Sequence, residues 1–133
     1  MPQAKCRILC IDDHEDTSEM LKLLLVQEDY EVFTARTIQE ALRLALAHEF
    51  DLYVFDKHLP DGSGLELCAK FNETTPGVAC IFYTGDTYDK HRVEALAAGA
   101  DAYVAKPDIE GLIENVRRLL SARECATSTS VTG

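Results

Sequence analysis

No run of five or more Lys and Arg residues interrupts the acidity of this chain, in which 23 Asp and Glu face 13 Lys and Arg for a formal charge of −10. Without a basic patch there is little to attract a phosphate backbone, which argues against direct nucleic-acid binding by this chain. Long apolar runs are also missing. The first, Ile8 to Ile11, leads straight into Asp12 and Asp13; it is far too short for a membrane span or a signal-peptide core. The chain therefore reads as a soluble cytoplasmic protein with no membrane partner. Cysteines stand at 6, 10, 68, 80 and 125, an odd number with no C-x-x-C pair. That spacing offers no zinc or redox site of the usual kind, so the cysteines read as reduced thiols, with Cys6, Cys10 and Cys80 as small core residues.

What is present suits one compact domain of 133 residues, 47% apolar. A core of this size buries roughly two-thirds of the unfolded surface and needs neither a disulfide nor a structural metal. Five strand-sized runs, Arg7 to Ile11, Glu31 to Ala35, Leu52 to Phe55, Ala79 to Tyr83 and Ala102 to Val104, alternate with segments of helical spacing. Ile38, Ala41, Leu42, Ala45 and Leu46 repeat at i, i+3, i+4, i+7 and i+8, behind a capping box of Thr37 and Glu40. Ile109, Leu112, Ile113, Val116, Leu119 and Leu120 form a similar stripe, and Val93, Leu96, Ala97 and Ala100 a shorter one. Two more helices centre on Met20 to Leu25 and Leu65 to Phe71. Alternation of this kind predicts a three-layer α/β fold, a (βα)5 doubly wound parallel sheet with right-handed crossovers. The domain should span residues 1–123. Residues 124–133, rich in Ser and Thr and without periodicity, read as a mobile tail or a cut linker.

Ligands of open α/β sheets bind beyond the carboxyl ends of the strands. Here those ends carry Asp12 and Asp13 after the first run, Asp56 after the third, Thr84 after the fourth, and Lys106 with Pro107 after the fifth. Two like charges about 4 Å apart at an effective dielectric of about 20 repel by roughly 4 kcal/mol, so clustered carboxylates call for cations. Lys106 and a divalent ion would supply them. Carboxylate oxygens suit Mg²⁺ (or Mn²⁺), which also favours phosphate oxygens. A positioned carboxylate, a hard metal and a Lys are the parts phosphoryl transfer requires, with Asp56 as the nucleophile.

From about Lys5 to Arg123 the chain resembles the receiver domain of two-component response regulators, of CheY-like, flavodoxin-like fold with strand order 2-1-3-4-5. The resemblance rests on Asp12-Asp13, on Asp56 through Gly64 (Asp-Lys-His-Leu-Pro-Asp-Gly-Ser-Gly), on Thr84-Gly85, on Ala98-Gly99-Ala100, and on Tyr103 before Lys106-Pro107. It implies that Asp56 is the phosphoacceptor. It further implies that Asp13 and Asp56 bind Mg²⁺ directly, Asp12 through water, and His58 through its backbone carbonyl. Thr84, Gly85 and Lys106 would receive the phosphoryl oxygens, Thr84 and Tyr103 would act as the switch, and the Lys106–Pro107 peptide would be cis. The implied partners are a histidine kinase or histidine phosphotransfer protein as donor and a downstream protein or effector domain as target, with a homodimer formed on phosphorylation as a further option. The target would meet the face made by the fourth helix, fifth strand and fifth helix. Such a domain is no enzyme beyond promoting its own phosphorylation and dephosphorylation.

Lys57 and His58 depart from the usual family pattern and read as solvent-facing loop residues; His14 reads as solvated, and His48 and His91 as surface residues of helical segments. Among rival readings, an aspartyl-phosphate phosphatase would need a D-x-D motif after the first strand, and that motif is missing. A flavin binder would need a Ser/Thr/Gly cradle there, where the loop is instead acidic. A pseudo-receiver that binds proteins without being phosphorylated is disfavoured by the presence of residues 12, 13, 56, 84 and 106 together.

Overall fold

The computed structural model describes residues 5–121 and residue 125. The elements run β1 (Arg7–Ile11), α1 (Glu15–Gln27), β2 (Glu31–Ala35), α2 (Ile38–Ala47), β3 (Leu52–Phe55), then a short hairpin β4 (His58–Leu59) and β5 (Gly62–Ser63). There follow α3 (Gly64–Thr74), β6 (Ala79–Thr84), α4 (Asp89–Ala97), β7 (Ala102–Ala105) and α5 (Ile109–Ser121). The main sheet has the order β2-β1-β3-β6-β7, all parallel. Setting the hairpin aside, this is 2-1-3-4-5, the doubly wound flavodoxin-like arrangement.

Both faces of the sheet are covered, which is why its central strands are nearly all apolar. All four residues of β3 are buried. On one face Ile8, Cys10, Val54, Ile81 and Val104 meet Leu21 and Leu25 of α1 and Leu112, Val116 and Leu120 of α5. On the other, Leu9, Ile11, Phe55 and Phe82 meet Ala41 of α2, Leu67 and Phe71 of α3 and Ala95 of α4. Each fully buried Leu, Ile or Phe contributes about 1.5–3 kcal/mol of transfer free energy, enough to make these two layers the main support of the fold.

Three local expectations need correction. The capping box at Thr37 and Glu40 is half formed: Thr37 Oγ1 accepts from the Glu40 amide at 3.1 Å, but the Glu40 carboxylate reaches past Thr37 to the Arg36 amide at 2.8 Å. A complete box sits at the start of α3, between Ser63 and Glu66. The α4 stripe is not the packed face, since Val93 is 58% and Leu96 40% exposed while Ala95 is buried; a small side chain lets the helix lie close to its neighbours. Finally, the cysteines are not all reduced thiols. Cys6 and Cys125 are joined as a disulfide with their Cα atoms 5.0 Å apart, and Cys10, Cys68 and Cys80 are free and buried. Spacing could not reveal a pair 119 residues apart. Apart from Cys125, the tail expected at 124–133 lies outside the described residues, as do residues 1–4 and 122–123.

Candidate functional site

The sheet register brings the expected polar residues to one edge. Ile11 aligns with Phe55 across β1 and β3, so Asp12 and Asp56 each take the next step out of the sheet. Thr84 ends β6 opposite Ala105, the residue before Lys106. The connection out of β3 is held tightly. The Gly64 amide donates to the Lys57 carbonyl at 2.7 Å, and a Cβ on Gly64 would collide with the Asp56 carbonyl oxygen and press on the Phe82 ring. Asp61 in the same loop accepts from the Ile38 and Gln39 amides at 2.8 and 3.0 Å, capping α2 from outside and tying it to the site.

Asp56 is the centre of the arrangement. Thr84 Oγ1 donates to its Oδ1 at 2.8 Å, Lys106 Nζ donates to its Oδ2 at 2.9 Å, and the His58 amide approaches Oδ1 at 3.3 Å. Lys106 Nζ also donates to Asp12 Oδ2 at 2.8 Å, so one ammonium bridges two nearly buried carboxylates. Burial by itself would raise the Asp56 carboxyl. The hydrogen bonds from Lys106 and Thr84, the Lys106 charge and the His58 amide outweigh it and leave the group below its ordinary value. Burial likewise opposes the charge on Lys106, but hydrogen bonds to Asp12 and Asp56 hold its ammonium above the usual lysine value. The Lys106–Pro107 peptide is cis.

These groups open onto a cleft of about 560 Å³ lined by Asp13, His14, Asp56, Thr84, Gly85 and Lys106, among others. A Cβ at Gly85 would meet nothing within 4 Å, so the cleft is open at that point. Ligand atoms of Asp12, His14 and Asp56 lie within 4.8 Å of one another. Asp13 is not in that group: it faces the cleft, with Oδ1 3.3 Å from His14 Nδ1. His14 is exposed but engaged, its amide and ring both meeting Asp12 Oδ1 at 2.9 Å.

Beside this cluster lies one that the sequence did not announce. The Asp86 carboxylate, 9% exposed, receives His91 Nδ1 at 2.6 Å, His58 Nε2 at 3.4 Å and Lys57 Nζ at 3.9 Å. Lys57 is buried rather than solvent-facing, and His91 is tied to this carboxylate rather than idle on the surface. His58 keeps its expected exposure at 72%, and His48 packs against Phe33 with ring centroids 4.6 Å apart. The Asp86 backbone links the two clusters. Its amide donates to Thr84 Oγ1 at 3.3 Å, and its carbonyl accepts from the Tyr103 hydroxyl at 2.6 Å. Burial, then the charges of Asp86 and Asp56, push the Tyr103 hydroxyl up to about 12, so it stays a donor throughout the working pH range. A continuous path therefore runs from Asp56 through Thr84 and Asp86 to Tyr103. In sequence Asp86 is merely two residues beyond Thr84. Its partners come from the β3 exit, α4 and β7, so topology was needed to find it.

A family model described as the response regulator receiver domain matches residues 8–117. The chain belongs to the response regulator receiver family. Response regulator ArlR of Staphylococcus aureus (strain Mu50) is 40% identical over 117 residues, which cover 86% of this receiver and 52% of that protein. This receiver thus spans about half the length of the curated relatives it matches. Among solved structures, a CheY-like receiver domain protein from Methanospirillum hungatei shares 37% identity at a TM-score of 0.85, covering 90% of this chain and 96% of that one. TrrA of Thermotoga maritima, solved in complex with Mg²⁺ and BeF, shares 34% identity at a TM-score of 0.78, covering 86% and 98%. The fold and the family place this chain in two-component signalling. No helix among the described residues is long and apolar enough to cross a membrane.

Proposed function

We propose that this receiver is switched by a phosphoryl group carried on Asp56, accepted from the phosphohistidine of a kinase or phosphotransfer protein in the cytoplasm. The observation that supports this most is the pairing at Asp56: a carboxylate whose two oxygens are held by Thr84 and Lys106 faces an open cleft. Lys106 and Thr84 keep the carboxylate ionised and aimed. A carboxylate oxygen of Asp56 then bonds to phosphorus as the bond from phosphorus to the donor nitrogen breaks, and the imidazole leaves with the electron pair.

The donor set fits a hard divalent ion. Asp12 and Asp56 are buried carboxylates that share a single ammonium, and Asp13 faces the same cleft. Mg²⁺ or Mn²⁺, held by Asp13 and Asp56, by the His58 carbonyl and by Asp12 through water, would supply charge neutralisation for the phosphoryl oxygens. Lys106 pairs with one phosphoryl oxygen, Thr84 donates to another, and the absence of a side chain at Gly85 leaves them room. As Thr84 turns toward the phosphoryl group, its hydrogen bond with the Asp86 amide is lost. The loop that anchors the Tyr103 hydroxyl is then free to shift, reshaping the α4, β7 and α5 face for a downstream protein or a second copy of the domain.

Incubation with a small phosphodonor and Mg²⁺, read by intact mass, tests this directly. One phosphoryl group should appear in the wild type and none in Asp56→Asn or in the presence of EDTA. An unchanged mass increase in Asp56→Asn would place the acceptor elsewhere. A wild type that never gains mass would favour the pseudo-receiver reading.

A further inference from the structure

The disulfide lies far from this chemistry. Cys6 stands just before β1, and Asp12 follows the other end of that five-residue strand, about 20 Å away at some 3.3 Å per residue. Cys6 is nearly buried at 8% exposure and fixed by its surroundings: its carbonyl accepts from the Glu31 amide at 2.9 Å. At the next residue, the Arg7 carbonyl accepts from the Asp51 amide at 2.8 Å, and the Asp51 carboxylate accepts from the Arg7 amide at 2.8 Å. Cys125 comes from beyond α5, is part-exposed, and packs against the α1 and α5 face of the core. Its Cα is 5.0 Å from that of Cys6, within the range a disulfide requires. One sulfur thus sits at the buried entry to β1 and the other beyond the last helix.

We propose that Cys6 and Cys125 are a reversible dithiol–disulfide pair through which this receiver senses thiol redox state, stapling the chain beyond α5 to the start of β1 when oxidised. Disulfides in the cytosol are typically transient and redox-sensing, which matches a bond with one accessible partner. The oxidant is a low-molecular-weight disulfide of the glutathione type. The Cys125 thiolate attacks one of its sulfurs and a first small thiolate leaves with the electron pair. The Cys6 thiol then gives its proton to solvent and attacks the Cys125 sulfur, expelling the second small thiolate. Two protein thiols are oxidised, the two electrons reside on the released thiolates, and both protons pass to solvent or to those thiolates.

Selectivity follows from burial. Cys10, Cys68 and Cys80 are each 0% exposed, so no oxidant reaches them in the folded protein. The Cys6 and Cys125 sulfurs together with Asp51 could instead hold a metal, since their ligand atoms lie within 4.8 Å. The direct bond between the sulfurs and the commitment of Asp51 to the Arg7 amide favour the disulfide.

The test equilibrates the whole 133-residue chain with graded ratios of reduced and oxidised glutathione, quenches in acid, and reads alkylation by intact mass and peptide mapping. Cys6 and Cys125 should lose reactivity together in a monomer and regain it on reduction, while the other three react after denaturation. Oxidation should raise the thermal midpoint of the wild type and leave Cys125→Ser unchanged. That variant sits at a part-exposed position and remains informative even if Cys6→Ser fails to fold. Persistent glutathione adducts on Cys125, a disulfide-linked dimer, or equal midpoints for oxidised and reduced protein would each overturn the proposal. So would Zn²⁺ alone, at micromolar concentration, protecting both thiols of the reduced chain from alkylation.

Discussion

Replacing Lys106 with Met isolates the electrostatic logic of the site. The ammonium bridges Asp12 and Asp56 at 2.8 and 2.9 Å, and those carboxylates are 3% and 7% exposed, so neither can turn to water when the cation is removed. Removing one partner of a buried pair costs about 3–5 kcal/mol, and the 20% exposure of Lys106 points to the lower end. At roughly 4 °C per kcal/mol for a domain of this size, Lys106→Met should melt about 12 °C below the wild type in EDTA at neutral pH. Mg²⁺ at about a hundred times its dissociation constant adds about 2.7 kcal/mol, so it should restore most of the loss. The gain should be larger in the variant, because the wild-type cluster already holds one cation.

The pH dependence has a definite sign. Asp56 lies below its ordinary value of 3.8, so its contribution is present above that pH and is lost as pH falls through the folded value. Lys106 lies above 10.5, so its contribution is present below that pH and is lost as pH rises through the folded value. The gap between the two proteins should therefore be constant across neutral pH and close in acid, where the unpaired carboxylates of the variant take up protons. Thermal melts from pH 3 to 9, with EDTA and with Mg²⁺, measure this. A loss below about 4 °C, under about 1 kcal/mol, would make the bridge a solvent-screened pair, and a gap unchanged in acid would show that the loss is not electrostatic.

Other expectations are narrower. Gly64→Ala sets a methyl against the Asp56 carbonyl and the Phe82 ring; it should cost about 1–3 kcal/mol in denaturant titration and slow phosphoryl uptake by moving Asp56. Asp61→Ala removes the acceptor for the first α2 amides; it should cost about 1 kcal/mol, and a neutral result would refute the capping role. Tyr103→Phe loses the hydrogen bond to the Asp86 carbonyl, at about 1 kcal/mol of stability. Phosphoryl uptake on Asp56 should continue in that variant, while binding of a downstream partner should become less dependent on it.

The parts of this molecule legible in sequence are those in which each residue acts through the period of its own element. Val54 and Phe55 lie in an apolar run buried on both faces, and Asp12, Asp56, Thr84 and Lys106 lie where such runs end. Once the runs form one parallel sheet, their ends must converge. Side chains whose partners come from elsewhere were misread. Lys57 follows the acceptor in a polar loop, yet the hairpin of β4 and β5 turns it inward toward Asp86. His91 has the spacing of a surface helix residue, yet the β6–α4 loop brings a carboxylate to it. Asp61, read only as part of the motif after the third strand, caps a helix that begins 23 positions earlier. Cys6 and Cys125 are separated by almost the whole chain.

Charge balance explains why the two clusters sit side by side. Asp12, Asp13, Asp56 and Asp86 bring four carboxylates, against the two ammonium groups of Lys57 and Lys106. Counting these groups alone, the region carries −2 before any phosphoryl group arrives, and an acyl phosphate of about −2 in place of the −1 carboxylate of Asp56 deepens the deficit by about one charge. Lys106 is shared between Asp12 and Asp56, and Lys57 lies near Asp86 at 3.9 Å, so neither has charge to spare. His58 and His91 each face Asp86, on the far side of Thr84 from the acceptor. The cleft edge where Asp13 faces the acceptor is therefore where a +2 ion offsets most repulsion. For the same reason BeF₃⁻, which forms a dianionic adduct with its aspartate, should bind weakly in EDTA and tightly with Mg²⁺. Asp13→Asn should weaken that dependence on Mg²⁺, whereas Asp86→Asn should leave it intact while releasing His91. Calorimetric titration of the mimic against both variants separates the roles, and equal Mg²⁺ dependence in the wild type and Asp13→Asn would remove Asp13 from the metal site.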